Sequence, residues 1–268
     1  QRSGEKRGIV LEKVGIKKLR YPIRVFVKGQ DSYQTPVASI ELSVELPADV
    51  KGAHMSRFTS IVHRYKDKIQ GRNFITMLKE IKNDLEAPRA HAKYTFPYYI
   101  EKIAPVSGEP SLMEYLCELE GSSCEEQDSL FLSVRVPITT LCPCSKAIAE
   151  MGAHNQRADV YVLADISKEL IWIEDIIKAV EDSSSSPVYS LLKRVDEKYV
   201  TEDAYKNPRF VEDVVREVYI RLEKLYHNTK NCNFIIECES YESIHNHSAF
   251  ASTKYQHKEG DINEQITT

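Results

Sequence analysis

The sequence predicts an α+β fold in which one order of elements, strand, strand, helix, helix, strand, strand, occurs twice along the chain. Three observations carry this. Segments with period-two apolar alternation flank a pair of segments with helical spacing. The same order returns in the second half. A short echo, Gly52-Ala53-His54-Met55-Ser56-Arg57 against Gly152-Ala153-His154-Asn155-Gln156-Arg157, shares four of six residues at corresponding places, as an internal duplication would.

In the first half, Ile23 to Val27 and Val37 to Leu46 read as strands. Ile40, Leu42, Val44 and Leu46 alternate as on a half-buried sheet. Met55 to Ile69 and Phe74 to Leu85 have helical spacing, the latter with Phe74, Met77, Leu78, Ile81 and Leu85 on one face and Pro88 beyond its end. Ala92 to Ile103 and Leu112 to Glu120 are extended, separated by the turn-rich run Pro105 to Pro110.

In the second half, Leu130 to Ile138 and Asp159 to Ile166 read as strands, and Leu170 to Val180 and Pro208 to Tyr226 as helices. Asn207-Pro208 has the form of a cap followed by proline in the first turn. Phe234 to Glu239 and Ala249 to Tyr255 close the unit as strands. Ser183 to Ser186, followed by Pro187, reads as a loop tip, and the polar tail from Lys258 onward as a frayed end. The module boundaries expected are 14–125 and 126–257.

Composition narrows the function. The chain has 268 residues, 42% hydrophobic and 28% charged, within the range of folded globular proteins. With 36 basic and 40 acidic residues the net charge is -4, the wrong sign for a generally basic nucleic-acid binder. No apolar run approaches the roughly 20 residues needed to span a bilayer. The charged opening residues lack the apolar stretch of a signal peptide, so the expectation is a soluble, cytoplasmic protein. Six cysteines are too sparse for a disulfide scaffold in a chain this long.

Three clusters have residues suited to chemistry. The first runs from Leu141-Cys142-Pro143-Cys144-Ser145-Lys146 to Gly152-Ala153-His154-Asn155-Gln156-Arg157. Thiolate and imidazole are common ligands of first-row metals, and twelve positions with a turn between them let the two converge. A strand end with two buried thiols and a surface histidine is equally compatible with those residue types. The second cluster, Leu192 to Glu202, mixes carboxylates with basic residues and reads as a charged loop, either a solvated surface or a carboxylate ligand beside cations for an anion. Glu212 follows in the first turn of a helix, where negative charge is favoured in any case. The third, Glu237 to Ser248, places His245 and His247 on one face if the stretch is extended. Paired histidines suit metal binding, proton transfer or a structural role.

The strings Thr139-Thr-Leu-Cys142-Pro-Cys144-Ser-Lys146, Gly152-Ala-His154-Asn-Gln-Arg157, Leu191-Leu-Lys-Arg-x-Asp-Glu197-Lys-Tyr-Val-Thr-Glu202 and Glu242-Ser-Ile-His245-Asn-His247-Ser-Ala249 resemble type IB GTP cyclohydrolase. So do Val14-Gly-Ile-Lys-x-Leu-Arg20-x-Pro-Ile23, Lys51-Gly-x-His54-Met-Ser-Arg-Phe58 and Ala104-Pro-Val-Ser-Gly108. The motifs run in family order from about Val14 to Tyr255, and no motif position departs from the pattern.

The resemblance implies the tunnelling fold: two tandem modules, each an antiparallel four-stranded sheet with two helices on one face. It implies homotetramers with active sites at interfaces between modules. It also implies conversion of GTP and water to 7,8-dihydroneopterin triphosphate and formate, the first step of folate biosynthesis. Carried over by position, Cys142, His154 and Glu197 resemble the ligands of a divalent metal, Mn2+ or Fe2+ ahead of Zn2+. A carboxylate in place of a second thiolate suits those harder ions. Glu212 resembles the guanine anchor, expected to be buried near its helix start. His245, His247 and Cys144 are candidates for proton transfer or support, and Cys142 is counted with them as catalytic. Arg157, Lys193, Arg194 and Lys198 are candidates for the triphosphate, and His54 and Arg57 for an adjoining site or the interface.

Two other readings share the fold. A nitrile reductase of queuosine synthesis pairs a nucleophilic cysteine with a purine-anchoring glutamate and uses NADPH, but its mechanism has no need of His154 and Glu197 beside the cysteine. A non-catalytic purine or pterin binder predicts a missing ligand or anchor, whereas every matched position is filled.

Overall fold

The structure is a computed structural model that describes Gly4, residues 6–226 and residues 232–256. The expected fraying from Lys258 lies outside the described residues. Contacts divide the chain into two compact units. The first comprises residues 1–98, 116–132 and 165–170; the second comprises 99–115, 133–164 and 171–268.

In the first unit, β1 (Leu11–Pro22) pairs antiparallel with β4 (Val37–Leu46), and β4 pairs with β5 (Ala90–Ile103). A short hairpin, β2 (Val25–Phe26) and β3 (Tyr33–Gln34), lies between β1 and β4 in the chain. The strand expected at 23–27 is thus two residues long, and the long strand lies before it. β1 escaped the pattern because it is an edge strand. Most of its residues are exposed, its register shifts between Leu11 and Val14 and again between Ile16 and Leu19, and no alternation survives those irregularities. Gly15 is required there: a Cβ would fall 1.8 Å from the Leu42 carbonyl oxygen.

The alternation of β4 is observed as read, with Ala38, Ile40, Leu42, Val44 and Leu46 buried. Helices α1 (Met55–Tyr65) and α2 (Arg72–Leu85) supply the rest of this core. Phe58, Ile61 and Val62 of α1 and Phe74, Met77, Leu78 and Ile81 of α2 are buried, each worth about 1.5–3 kcal/mol by transfer from water. Phe74 meets the Tyr94 ring edge-on at 5.3 Å, and the Tyr94 hydroxyl donates to Met77 Sδ. β6 (Pro110–Ser123) and β7 (Asp128–Leu141) follow, and like β5 they have residues in both units.

The second unit contains α3 (Pro143–Ile148), β8 (Asn155–Asp165), α4 (Ile173–Glu181), β9 (Ser186–Pro187), α5 (Arg194–Lys206), α6 (Val211–Tyr226), β10 (Asn233–Ser240) and β11 (Ala249–Gln256). The strand order is β7-β8-β10-β11, with β9 pairing β7. β10 is antiparallel to both neighbours, Phe234 facing Ala164 of β8 and Tyr255 of β11. α6 buries Val211, Val214, Val215, Val218, Leu222 and Tyr226, and Tyr226 stacks at a tilt on Phe234 of β10.

Four expectations change here. The charged run 192–202 is largely helix α5 and not a loop. Its weak apolar face hides the period, because only Asp196 and Ala204 are buried. Ser183 to Ser186 is no loop tip: all four serines are buried, and Ser186 with Pro187 adds a strand to β7. Asn207 closes α5, its amide donating to the Asp203 carbonyl, while the start of α6 is capped by Asp213 accepting from Phe210 N–H at 3.1 Å. Residues 241–248 form a turn-rich loop between β10 and β11, not an extended stretch.

Candidate functional site

Cys142 stands where β7 ends and α3 begins, and the backbone on both sides of it is clamped. Leu141 N–H donates to Ser185 Oγ at 3.0 Å, and the Leu141 carbonyl accepts from Arg209 N–H at 3.0 Å. This is the work of the buried serine run: it supplies an acceptor where β7 would otherwise lose one. Cys142 N–H donates to the His154 carbonyl at 3.1 Å. Ser145 Oγ donates to the Cys142 carbonyl and accepts from His154 N–H, both at 3.2 Å. Cys142 and His154, twelve residues apart, are therefore held together by three hydrogen bonds. Cys142 Sγ accepts from Ser145 N–H at 3.4 Å. Neither thiol of the Cys-Pro-Cys run is buried; Cys142 is half-buried and Cys144 exposed.

The His154 ring is oriented from one side. Nδ1 lies 2.9 Å from Gln156 Oε1, Gln156 Nε2 donates to Thr140 Oγ1 at 3.0 Å, and Thr140 Oγ1 meets the buried Ser240 Oγ at 3.2 Å. Glu242 Oε2 is 4.0 Å from the same Nδ1. The contacts of the ring are at Nδ1, and among the described residues no hydrogen bond engages Nε2.

Glu197 lies on the exposed side of α5, one residue after Asp196, whose side chain is fully buried. Asp196 accepts from Val106 N–H and Ser107 N–H (both 2.8 Å), Ser107 Oγ–H (2.6 Å) and Lys193 N–H (2.8 Å). Desolvation opposes its charge, yet these four donors hold the carboxyl well below the usual carboxylate range. The Ala104-Pro-Val-Ser-Gly108 motif thus anchors the first turn of α5, which carries Arg194, Glu197 and Lys198. Arg194 is exposed, and Lys198 pairs with Glu202 at 2.7 Å.

α3 touches α5 through Lys146, which donates to the Tyr205 carbonyl and sits 4.4 Å over its ring. Glu197 is eight residues before Tyr205, about 12 Å along the helix. Among the described residues no three His, Cys, Asp or Glu side chains form a group that could hold a metal. The structure brings Cys142 and His154 together and sets Glu197 apart on α5.

Glu212 is exposed in the first turn of α6, not buried as expected. Its charge acts on the buried Cys238 of β10, whose thiol is pushed up to about 12 by burial and by Asp159 and Glu212. Arg157 is exposed on β8, and its carbonyl accepts from Tyr241 N–H at the start of the β10–β11 loop. In that loop His245 and His247 are exposed, and their rings stack at 5.0 Å with 12° between planes. The pair shares one place through a turn and not through strand alternation. In the first unit His54 precedes α1 and Arg57 donates to the Asp84 carbonyl. Gln156, Thr140, Ser185, Asp196 and Glu242 had no role in the sequence reading. All are residue types common on ordinary surfaces, and each has a partner far along the chain: Thr140 for Gln156, Ser240 for Thr140, Leu141 for Ser185, Ser107 for Asp196 and His154 for Glu242.

A family model described as "Type I GTP cyclohydrolase folE2" matches residues 1–251. The chain is 51% identical to the GTP cyclohydrolase FolE2 of Syntrophotalea carbinolica over 95% of its length and 94% of that protein's. For the FolE2 of Syntrophus aciditrophicus the figures are 50%, 91% and 94%. The FolE2 of Pseudothermotoga lettingae is 47% identical over 94% of this chain and 95% of its own. Among solved structures, uricase from Arthrobacter globiformis superimposes with a TM-score of 0.52 at 6% identity, covering 96% of this chain and 98% of its own. That likeness is one of fold, the tunnelling fold. From the length and level of the sequence matches, the chain belongs to the type I GTP cyclohydrolase FolE2 family, a family of enzymes.

Proposed function

We propose that the chain converts GTP and water to 7,8-dihydroneopterin triphosphate and formate, using a divalent metal held by Cys142, His154 and Glu197. The observation that carries the reading is the clamp joining Cys142 to His154, with Nδ1 of the imidazole already engaged. Two of the three donors fit: the Cys142 thiol and the His154 imidazole stand on backbone held together by the clamp, while Glu197, an exposed carboxylate on α5, has to reach them for the site to close. A carboxylate in place of a second thiolate makes the set harder, which admits Mn2+ or Fe2+ as well as Zn2+, and the resemblance to the family puts Mn2+ or Fe2+ first. When bound, such a metal lowers the pKa of water and provides hydroxide near neutral pH for attack at purine C8.

The chain's own residues do the rest. Glu212, open to a ligand, accepts from guanine N1–H and N2–H through its two oxygens. Arg157, Arg194 and Lys198 counter the triphosphate, Lys198 after releasing Glu202, with Lys193 a further candidate. His245 and His247 move protons during ring opening, the ribose rearrangement and closure of the new ring, with Cys144 in support. The same reading takes the enzyme as a cytoplasmic homotetramer of two-module chains, 14–125 and 126–257, in which assembly completes each site. Among the described residues no helix is long and apolar enough to cross a membrane.

The test is GTP turnover by metal-stripped protein given Mn2+, Fe2+, Zn2+ or nothing, read as formate and as a fluorescent pterin after oxidation. Manganese or iron restores both products. GTP binding with no pterin under any metal overturns the reading in favour of the silent binder or the reductase. Glu212→Gln turns one acceptor into a donor that faces donors. It is expected to cost about 1–3 kcal/mol of GTP binding, roughly 5- to 150-fold in Kd. Calorimetric titration with GTP checks this, and an unchanged Kd rejects the anchoring role.

A further inference from the structure

We infer that Gln156 is the positioning residue that sets the tautomer of His154 and so presents Nε2, unprotonated, to the metal. This rests on the assignment of His154 as a ligand. A neutral imidazole binds a metal through one nitrogen only if the proton resides on the other, and an acceptor beside that other nitrogen keeps it there. Gln156 Oε1 is 2.9 Å from Nδ1.

The chain of hydrogen bonds His154, Gln156, Thr140, Ser240 has two possible directions, because both hydroxyls can donate or accept. In one, Nδ1–H donates to Oε1, the amide NH2 donates to Thr140 Oγ1, and Thr140 donates to Ser240. In the other every bond reverses, the amide flips, and the ring proton is forced onto Nε2, which then cannot ligate. Only the first direction is compatible with a metal at His154. The carboxylate neighbour, Glu242, is at 4.0 Å and beyond hydrogen-bond reach of Nδ1. Among the described residues the hydrogen bond at Nδ1 is therefore that of Gln156. Thr140 holds Gln156 in turn: it lies on β7 two residues before Cys142, so the strand that delivers the sulfur ligand also orients the nitrogen ligand.

The experiment uses the full chain, metal-stripped, as wild type, His154→Ala, Gln156→Met and Gln156→Glu. Co2+ is titrated in competition with a chromophoric chelator, with its ligand-field absorption as a second readout. Gln156→Met, similar in size but without the acceptor, is expected to bind on the order of 10–100-fold more weakly with an altered absorption band. Gln156→Glu can only accept from Nδ1–H, and its other oxygen accepts from Thr140, so it is expected to restore affinity to within a few-fold of wild type. Wild-type affinity in Gln156→Met, with binding lost in His154→Ala, overturns the positioning role and leaves the ligand assignment standing. Equal weakness in the Met and Glu variants also overturns it, since the acceptor would not be the cause. Wild-type affinity in His154→Ala overturns the ligand assignment and the inference together.

Discussion

Cys142→Ala is expected to abolish metal retention and formate release together. The loss should exceed the roughly 10–100-fold that follows removal of an outer hydrogen-bond partner, because a ligand itself is gone. The substitution has a second, separable effect. Cys142 Sγ also accepts from Ser145 N–H as the cap of α3, and losing a cap costs about 0.5–2 kcal/mol. Cys142→Ser separates the two: a hydroxyl keeps an acceptor for Ser145 N–H but is a poor substitute for a thiolate. Metal content by elemental analysis, formate yield and thermal melting of the metal-free proteins are the measurements. Both variants lose metal and turnover, and only the alanine variant loses the cap. Full activity in Cys142→Ala would sink the ligand assignment.

The largest effect on stability is expected from Glu181→Ala. Glu181 ends α4 and accepts from Lys102 Nζ at 2.7 Å and from the Tyr115 hydroxyl at 2.6 Å. Lys102 is 9% exposed and Glu181 16%, so water does little for either charge. Burial pulls the Lys102 ammonium below its ordinary value, with Glu181 opposing; burial, then Glu181, pushes the Tyr115 hydroxyl up. Without Glu181 the ammonium keeps, among the described residues, the Val188 carbonyl at 2.7 Å and the Tyr189 ring at 4.3 Å. Leaving one buried charge of a pair costs about 3–5 kcal/mol. The unfolded chain then binds the Lys102 proton more tightly than the folded one. The variant should therefore regain stability as pH rises toward the ordinary lysine value of 10.5. Urea titrations at several pH values test both statements. A Lys102→Met/Glu181→Gln double variant removes the stranded charge and keeps an acceptor for Tyr115, so it should recover most of the loss. A double variant as unstable as the single one would show that packing, not charge, is at issue.

How far the sequence reaches differs from element to element. β4 was legible because Ile40, Leu42, Val44 and Leu46 pack against one core, which imposes a period of two. α1 and α2 were legible for the same reason at a period of 3.6. β1 was not, because an exposed, bulged edge strand has no buried face to impose a period. α5 was not, because its charged faces meet solvent and its one deep anchor, Asp196, is a carboxylate held by a turn some ninety residues away. Glu212 could be placed on α6 by sequence, but not its exposure, which depends on what packs over the first turn.

The sequence by itself determined the α+β class, the order of most elements and the strings that carry Cys142, His154, Glu197 and Glu212, because periodicity and motif spacing are local properties. Only the tertiary structure decided that His154 returns both its N–H and its carbonyl to the Cys142 turn. The same holds for the buried serines that clamp the end of β7, and for Gln156, Thr140 and Ser240 behind the imidazole. The reason is physical. A hydrogen bond between residues twelve or a hundred positions apart depends on how strands register. Register is set by the packing of whole faces, not by the residues that happen to meet.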